Sequence, residues 1–171
     1  MVENDPLVSD LIARQTLQAA GFQTIVVSDA NTAIGQAAQL QPDAIIADLN
    51  LPGLSGKDLM VALNSQGADY PVVVLAHKGM EADIIQAFRL GAADYLMLPV
   101  REAEVIRAME RVLKLVHERR EKDRLAAQLN QTNQELQSRV REMTTIFGLS
   151  KAVISITDQS QLFEKVIDGA V

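Results

Sequence analysis

The chain has 171 residues, 48% of them hydrophobic, no cysteine and a formal net charge of -6. That is room for one domain of about 120 residues and a further segment. The composition excludes a disordered chain, a disulfide scaffold and a thiolate metal site. No apolar run approaches the roughly 20 residues that span a bilayer and no signal peptide is visible, so no membrane partner and a cytoplasmic location are expected. Residues 1–100 carry 4 Lys/Arg against 11 Asp/Glu, while residues 101–142 carry 10 against 8. An acidic body argues against direct nucleic-acid binding, and the small basic excess beyond it does not reverse this.

In chain order, Pro6 suits the first turn of a helix with Asp5 as its cap, and Leu7, Leu11, Ile12 and Leu17 form its apolar face. Gly21 ends that helix. Thr24–Val27 then reads as a strand, Asn31–Leu40 as a helix and Ala44–Ala47 as a buried central strand. Ser55–Asn64 is a helix, Val72–Leu75 a strand, Glu81–Leu90 a helix stopped by Gly91, and Tyr95–Met97 a last short strand. Alternation of this kind predicts a parallel sheet with helices on both faces.

Asp48 stands at the carboxyl end of the central strand, ahead of the loop Leu49-Asn50-Leu51-Pro52-Gly53-Leu54-Ser55-Gly56. Open α/β sheets place their chemistry at such strand ends, and a carboxylate there suits an aspartyl phosphate. With its Asp-x-x-x-Pro-x-x-x-Gly pattern, the sequence resembles the receiver (response-regulator) family of two-component signalling over about Val2–Leu115. The resemblance implies a flavodoxin-like doubly wound α/β sheet of strand order 2-1-3-4-5, its first strand largely missing. Asp48 becomes the phosphoacceptor, with a histidine kinase or phosphotransfer protein as donor. A Mg²⁺ ion would be held by Glu3, Asp48 and the backbone carbonyl of Asn50, while Pro52 and Gly56 take the structural loop positions. The second acidic position falls on Asn4, which offers no charge and weakens the metal site; Asp5 is a possible substitute, but capping the first helix is its more ordinary role.

Other positions depart from the family pattern. Its switch Thr/Ser falls on Ala76, which has no hydroxyl, and its Lys on Leu98, which cannot pair with a phosphoryl oxygen. His77 and Lys78 lie just after Ala76, within reach if they swing inward, though an exposed loop is the usual home for both. Tyr95 matches the rotating aromatic of the switch; a half-buried tyrosine at the sheet edge is the other reading. Leu98-Pro99 matches the family's cis peptide.

Only Met1 and Val2 stand where the family's first strand belongs. Either the start is placed too late, which is the favoured expectation, or the domain folds with its central strand nearly gone and two strand edges unpaired. After Arg101 the pattern becomes one long, charge-rich helix. Arg119–Arg124 has almost no apolar face. From there Ala126, Asn133, Val140 and Phe147 share one heptad position, and Leu129, Leu136 and Met143 the other. This predicts a parallel homodimer through residues 126–147; a lone helix folded back on its own domain is the alternative. The expected division is a receiver-like domain at 1–118, a coiled-coil linker helix at 119–148, and at 149–171 either the start of a second domain, resembling a GAF domain, or a helical extension. The chain is expected to be a relay rather than an enzyme. Its rivals are a phosphorylation-independent pseudo-receiver used for protein interaction, and a regulatory fragment of a larger sensor histidine kinase.

Overall fold

The computed structural model of the chain describes the backbone of residues 1–168 and the side chains of residues 1–147. Asp5 starts the first helix by accepting the Leu7 N–H at 2.8 Å, with Pro6 at its first position. This α1 (Pro6–Ser9) does not continue as a single α-helix to Gly21. It widens into a π-helical stretch (Asp10–Gln18), in which the Thr16 hydroxyl donates to the Leu11 carbonyl at 2.8 Å. Of the four residues expected on its apolar face, Ile12 and Leu17 reach the core, Leu11 is only partly buried and Leu7, on the first turn ahead of the π-helical stretch, is exposed. Ala13 and Thr16 are buried beside Ile12 and Leu17 instead.

Three strands pair in parallel in the order β1 (Ile45–Asp48), β2 (Val72–His77) and β3 (Asp94–Leu98). Asp48 lies level with Leu75, and Leu75 with Leu96. On the other side of β1 the position of the short first strand is occupied. Val2 bridges both Val27 and Ala47, donates its N–H to the Ile46 carbonyl at 2.7 Å and accepts from the Asp48 N–H at 3.0 Å. Thr24–Val27, expected as a strand, is not one. Only Val27 is bridged, because the backbone beside it offers one bridging residue, and Ile25 and Val26 are left exposed. A strand needs a ladder as well as a β-branched sequence.

Side chains alternate across the strands. Ile45, Ala47, Val72, Val74 and Ala76 pack with α2 (Ala30–Leu40), α3 (Gly56–Ser65) and α4 (Glu81–Arg89). Ile46, Val73, Leu75, Leu96 and Leu98 pack with the first helix and with Val105, Ala108, Met109 and Val112 of α5 (Glu102–Asp168). Both sheet faces are thus covered, which is why these strands read as continuous apolar runs.

The chain divides into two compact units, Met1–Arg119 and Arg120–Val171. Within the first, Arg111 pairs with Asp94, and Arg119 pairs with Asp69 at 2.5 Å. In the second, Leu129, Leu136, Val140, Met143 and Phe147 are each more than half exposed. The GAF-like reading of residues 149–171 rests on Leu162, Val166 and Ile167, which lie outside the described side chains. Among the described residues no helix is long and apolar enough to cross a membrane.

Candidate functional site

β1 delivers Asp48 to the carboxyl edge of the sheet, where it is 4% exposed. One carboxylate oxygen accepts the Asn50 N–H at 3.0 Å, so the loop turns back over the group at its start. The short first strand brings Glu3 to the same edge, 3% exposed. Its Oε1 accepts the Asp5 N–H at 2.8 Å, while its Oε2 is buried with no hydrogen-bond partner. Burial, and to a smaller degree the charge of Asp48, raise the Glu3 carboxyl above the ordinary range. Desolvation penalises the charged form and a nearby like charge adds to it.

Two carboxyl groups in one buried acidic corner, one with an orphaned oxygen, fit a small hard cation that prefers oxygen ligands. Among the described residues no cluster of three or more His, Cys or acidic side chains exists, so any metal here would draw on backbone carbonyl and water as well. Asn4 and Asp5 are exposed, and Asp5 is committed to capping α1.

The loop returns into α3 through a narrow gap. A Cβ on Gly56 would lie 2.3 Å from the Asp48 carbonyl oxygen, so only glycine lets the helix start abut the strand end. Ser55 caps α3 in a reciprocal box with Asp58. Pro52 is exposed at the loop tip.

Across the sheet the edge is apolar. Ala76 is fully buried and Leu98 is 8% exposed. Asp48, Leu75 and Leu96 form one cross-strand row, and Leu98 lies one pleat beyond it on the same face. The residue at the family's cation position is therefore turned into the hydrophobic layer shared with α5. His77 and Lys78 are exposed. Tyr95 is 43% exposed on the edge strand β3, with its ring edge-on to Phe88 at 6.0 Å. Leu98-Pro99 is cis.

The sequence reading missed one polar tie. Lys57, the residue after Gly56, reaches from α3 to α4 and donates to Asp83 at 2.7 Å and Gln86 at 2.9 Å. No local spacing announces a contact between residues 26 and 29 positions apart.

The Response regulator receiver domain profile matches residues 1–110. The chain belongs to the response regulator receiver domain family. It is 31% identical over 106 residues to the DNA-binding response regulator MtrA of Mycolicibacterium smegmatis, covering 62% of this chain and 46% of that one. It is 32% identical over 108 residues to the transcriptional regulatory protein PrrA of Mycobacterium leprae, with the same coverage. The chain thus spans about half the length of the curated relatives it matches. Among solved structures, the receiver domain of NtrX from Brucella abortus is similar at a TM-score of 0.63 and 28% identity, over 66% of this chain and 95% of that one. The receiver domain of Francisella response regulator 1452 is similar at 0.60 and 25%, over 66% and 93%. The fold is accordingly the flavodoxin-like α/β fold of receiver domains, and the family's role is two-component signalling.

Proposed function

We propose that this receiver takes a phosphoryl group on Asp48 from a phosphohistidine of a kinase or phosphotransfer protein, and passes the resulting change along α5. The observation that carries the reading is Asp48 itself, a buried carboxylate at the end of β1 beside the orphaned oxygen of Glu3. An Asp48 carboxylate oxygen forms the new P–O bond as the P–N bond of the donor breaks, and the imidazole departs with the electron pair. Glu3, Asp48 and the Asn50 carbonyl would hold a magnesium ion, which when bound offsets charge on the transferring group. The Asn50 N–H orients the Asp48 carboxylate, and Gly56 keeps the loop close enough for that orientation.

The chain acts as a relay rather than as an enzyme. Its output passes through α5, where the heptad segment 126–147 serves as the pairing stalk, and residues 119–148 link the body to a downstream output domain. Nucleic-acid binding is part of the name of MtrA; this acidic body contributes no such surface.

A second reading is favoured by the burial of Ala76 and Leu98: a pseudo-receiver that recognises a partner without phosphorylation. Intact-mass spectrometry after incubation with Mg²⁺ and acetyl phosphate separates the two. A phosphate adduct absent from Asp48→Ala is expected. A folded protein that takes no adduct overturns the phosphorelay reading and leaves the pseudo-receiver.

A further inference from the structure

The segment 126–147 presents an apolar seam, interrupted at Asn133, whose large side chains are exposed among the described residues. Leu129, Leu136, Val140, Met143 and Phe147 are each more than half exposed, on a helix stretch about 33 Å long at 1.5 Å per residue. In its middle a shallow, open surface hollow is lined by Asn133, Leu136, Gln137, Val140 and Arg141. In heptad terms the first four occupy positions a, d, e and the next a. Those four make up the hole that receives a d-position side chain from a facing parallel helix.

We propose that the occupant is a second copy of this chain, parallel and in register, with Leu136 of each copy filling the hollow of the other. This deepens the stalk reading above and rests on residues 126–147 being a pairing segment. Three features select the occupant. The flanking e positions, Asn130, Gln137 and Thr144, are neutral, and the one charge at the g positions, Arg139, faces the neutral Thr144 of a parallel partner, so the seam carries no charge pairing that demands a different partner. Parallel register sets Asn133 opposite its own counterpart, where two amides satisfy each other. An antiparallel pair aligning 126 with 147 sets it against Val140 and leaves a buried amide unpaired. Finally, counting heptads back from Ala126 places Lys122 and Arg119 at the next two core positions. A parallel partner would bring like charges together there, and Arg119 is already engaged with Asp69 of its own body. Pairing therefore begins at Ala126 and stops short of the charged layer.

The test uses the full chain, whose lack of cysteine allows single thiols to be introduced. Sedimentation equilibrium should show a dimer whose dissociation constant rises at least 100-fold in Leu136→Asp. The thermal transition of the body should be unchanged in that variant, because the side chain is solvent-exposed in the monomer. Mild oxidation should cross-link Ala126→Cys to itself, and an equimolar mixture of A126C and F147C should give only like-with-like products. Lys122→Leu should tighten the dimer about tenfold by extending the seam. A protein monomeric at all concentrations overturns the pairing reading itself. A dimer that cross-links 126 to 147 keeps the pairing and overturns the register, and a dimer indifferent to K122L overturns the boundary.

Discussion

The two halves of the carboxyl edge of the sheet have diverged. The half built by the first strand and β1 is acidic and imperfectly satisfied, with Glu3 and Asp48 buried together and one Glu3 oxygen without a partner. The half built by β2 and β3 is apolar and sealed, with Ala76 and Leu98 packed into opposite layers of the core. Among the described residues the unsatisfied buried side-chain oxygen belongs to the half proposed to accept a phosphoryl group, while the positions that would grip its oxygens are occupied by packing side chains. In that reading the contrast separates taking the group from responding to it.

The largest expected effect breaks the acidic half: Asp48→Ala should abolish the acetyl-phosphate adduct in intact mass. Next, Ala76→Thr with Leu98→Lys should restore polar contacts on the sealed half. A preorganised donor or cation at a reacting oxygen is worth roughly 100-fold, so the double variant should label on the order of 100 times faster in a time course. An unchanged rate would mean that the sealed half no longer faces the phosphoryl position.

Gly56→Ala tests the geometry that joins loop to strand. The added methyl meets backbone rather than a movable side chain, so a loss of about 2–3 kcal/mol in urea denaturation is expected.

Glu3→Gln should have two smaller effects of opposite sign. Titration calorimetry should show Mg²⁺ affinity falling about tenfold, since a ligand charge is lost. The metal-free protein should become more stable by about 1 kcal/mol, because a poorly compensated buried charge is removed. The sign with pH comes from the raised Glu3 carboxyl. The folded protein holds that proton more tightly than the unfolded chain, so Glu3's contribution to stability falls as pH rises from the ordinary carboxylate value through the raised one. E3Q should remove that downward slope from the melting temperature measured without metal.

The sequence carried much of this fold because its signals are local. The apolar runs at 45–47 and 72–76 are buried on both faces, and Asp48 directly after the first of them marks the candidate site without any knowledge of its neighbours. The Asp5 cap was legible for the same reason, as were Ile12 and Leu17 among the apolar positions of the first helix. Reading failed where an outcome depended on a distant partner. Thr24–Val27 has the composition of a strand but forms a β-bridge only at Val27, with one further backbone contact where the Ile25 carbonyl accepts from the Met1 amino group, since pairing is decided by the backbone alongside. The first helix widens after Ser9 and buries Ile12, Ala13, Thr16 and Leu17 while Leu7 is left exposed, a buried set that the 3.6-residue spacing of Leu7, Leu11, Ile12 and Leu17 did not report.

By itself, then, the sequence determined the alternation of elements, the placement of Asp48 and the heptad seam, all of which arise from periodicity along a single stretch of chain. Only the tertiary structure decided that Glu3 is buried with an oxygen to spare, that Lys57 ties α3 to α4, and that Leu98 turns into the core. Each of these is set by residues far apart in the chain, through packing and desolvation that local spacing does not encode.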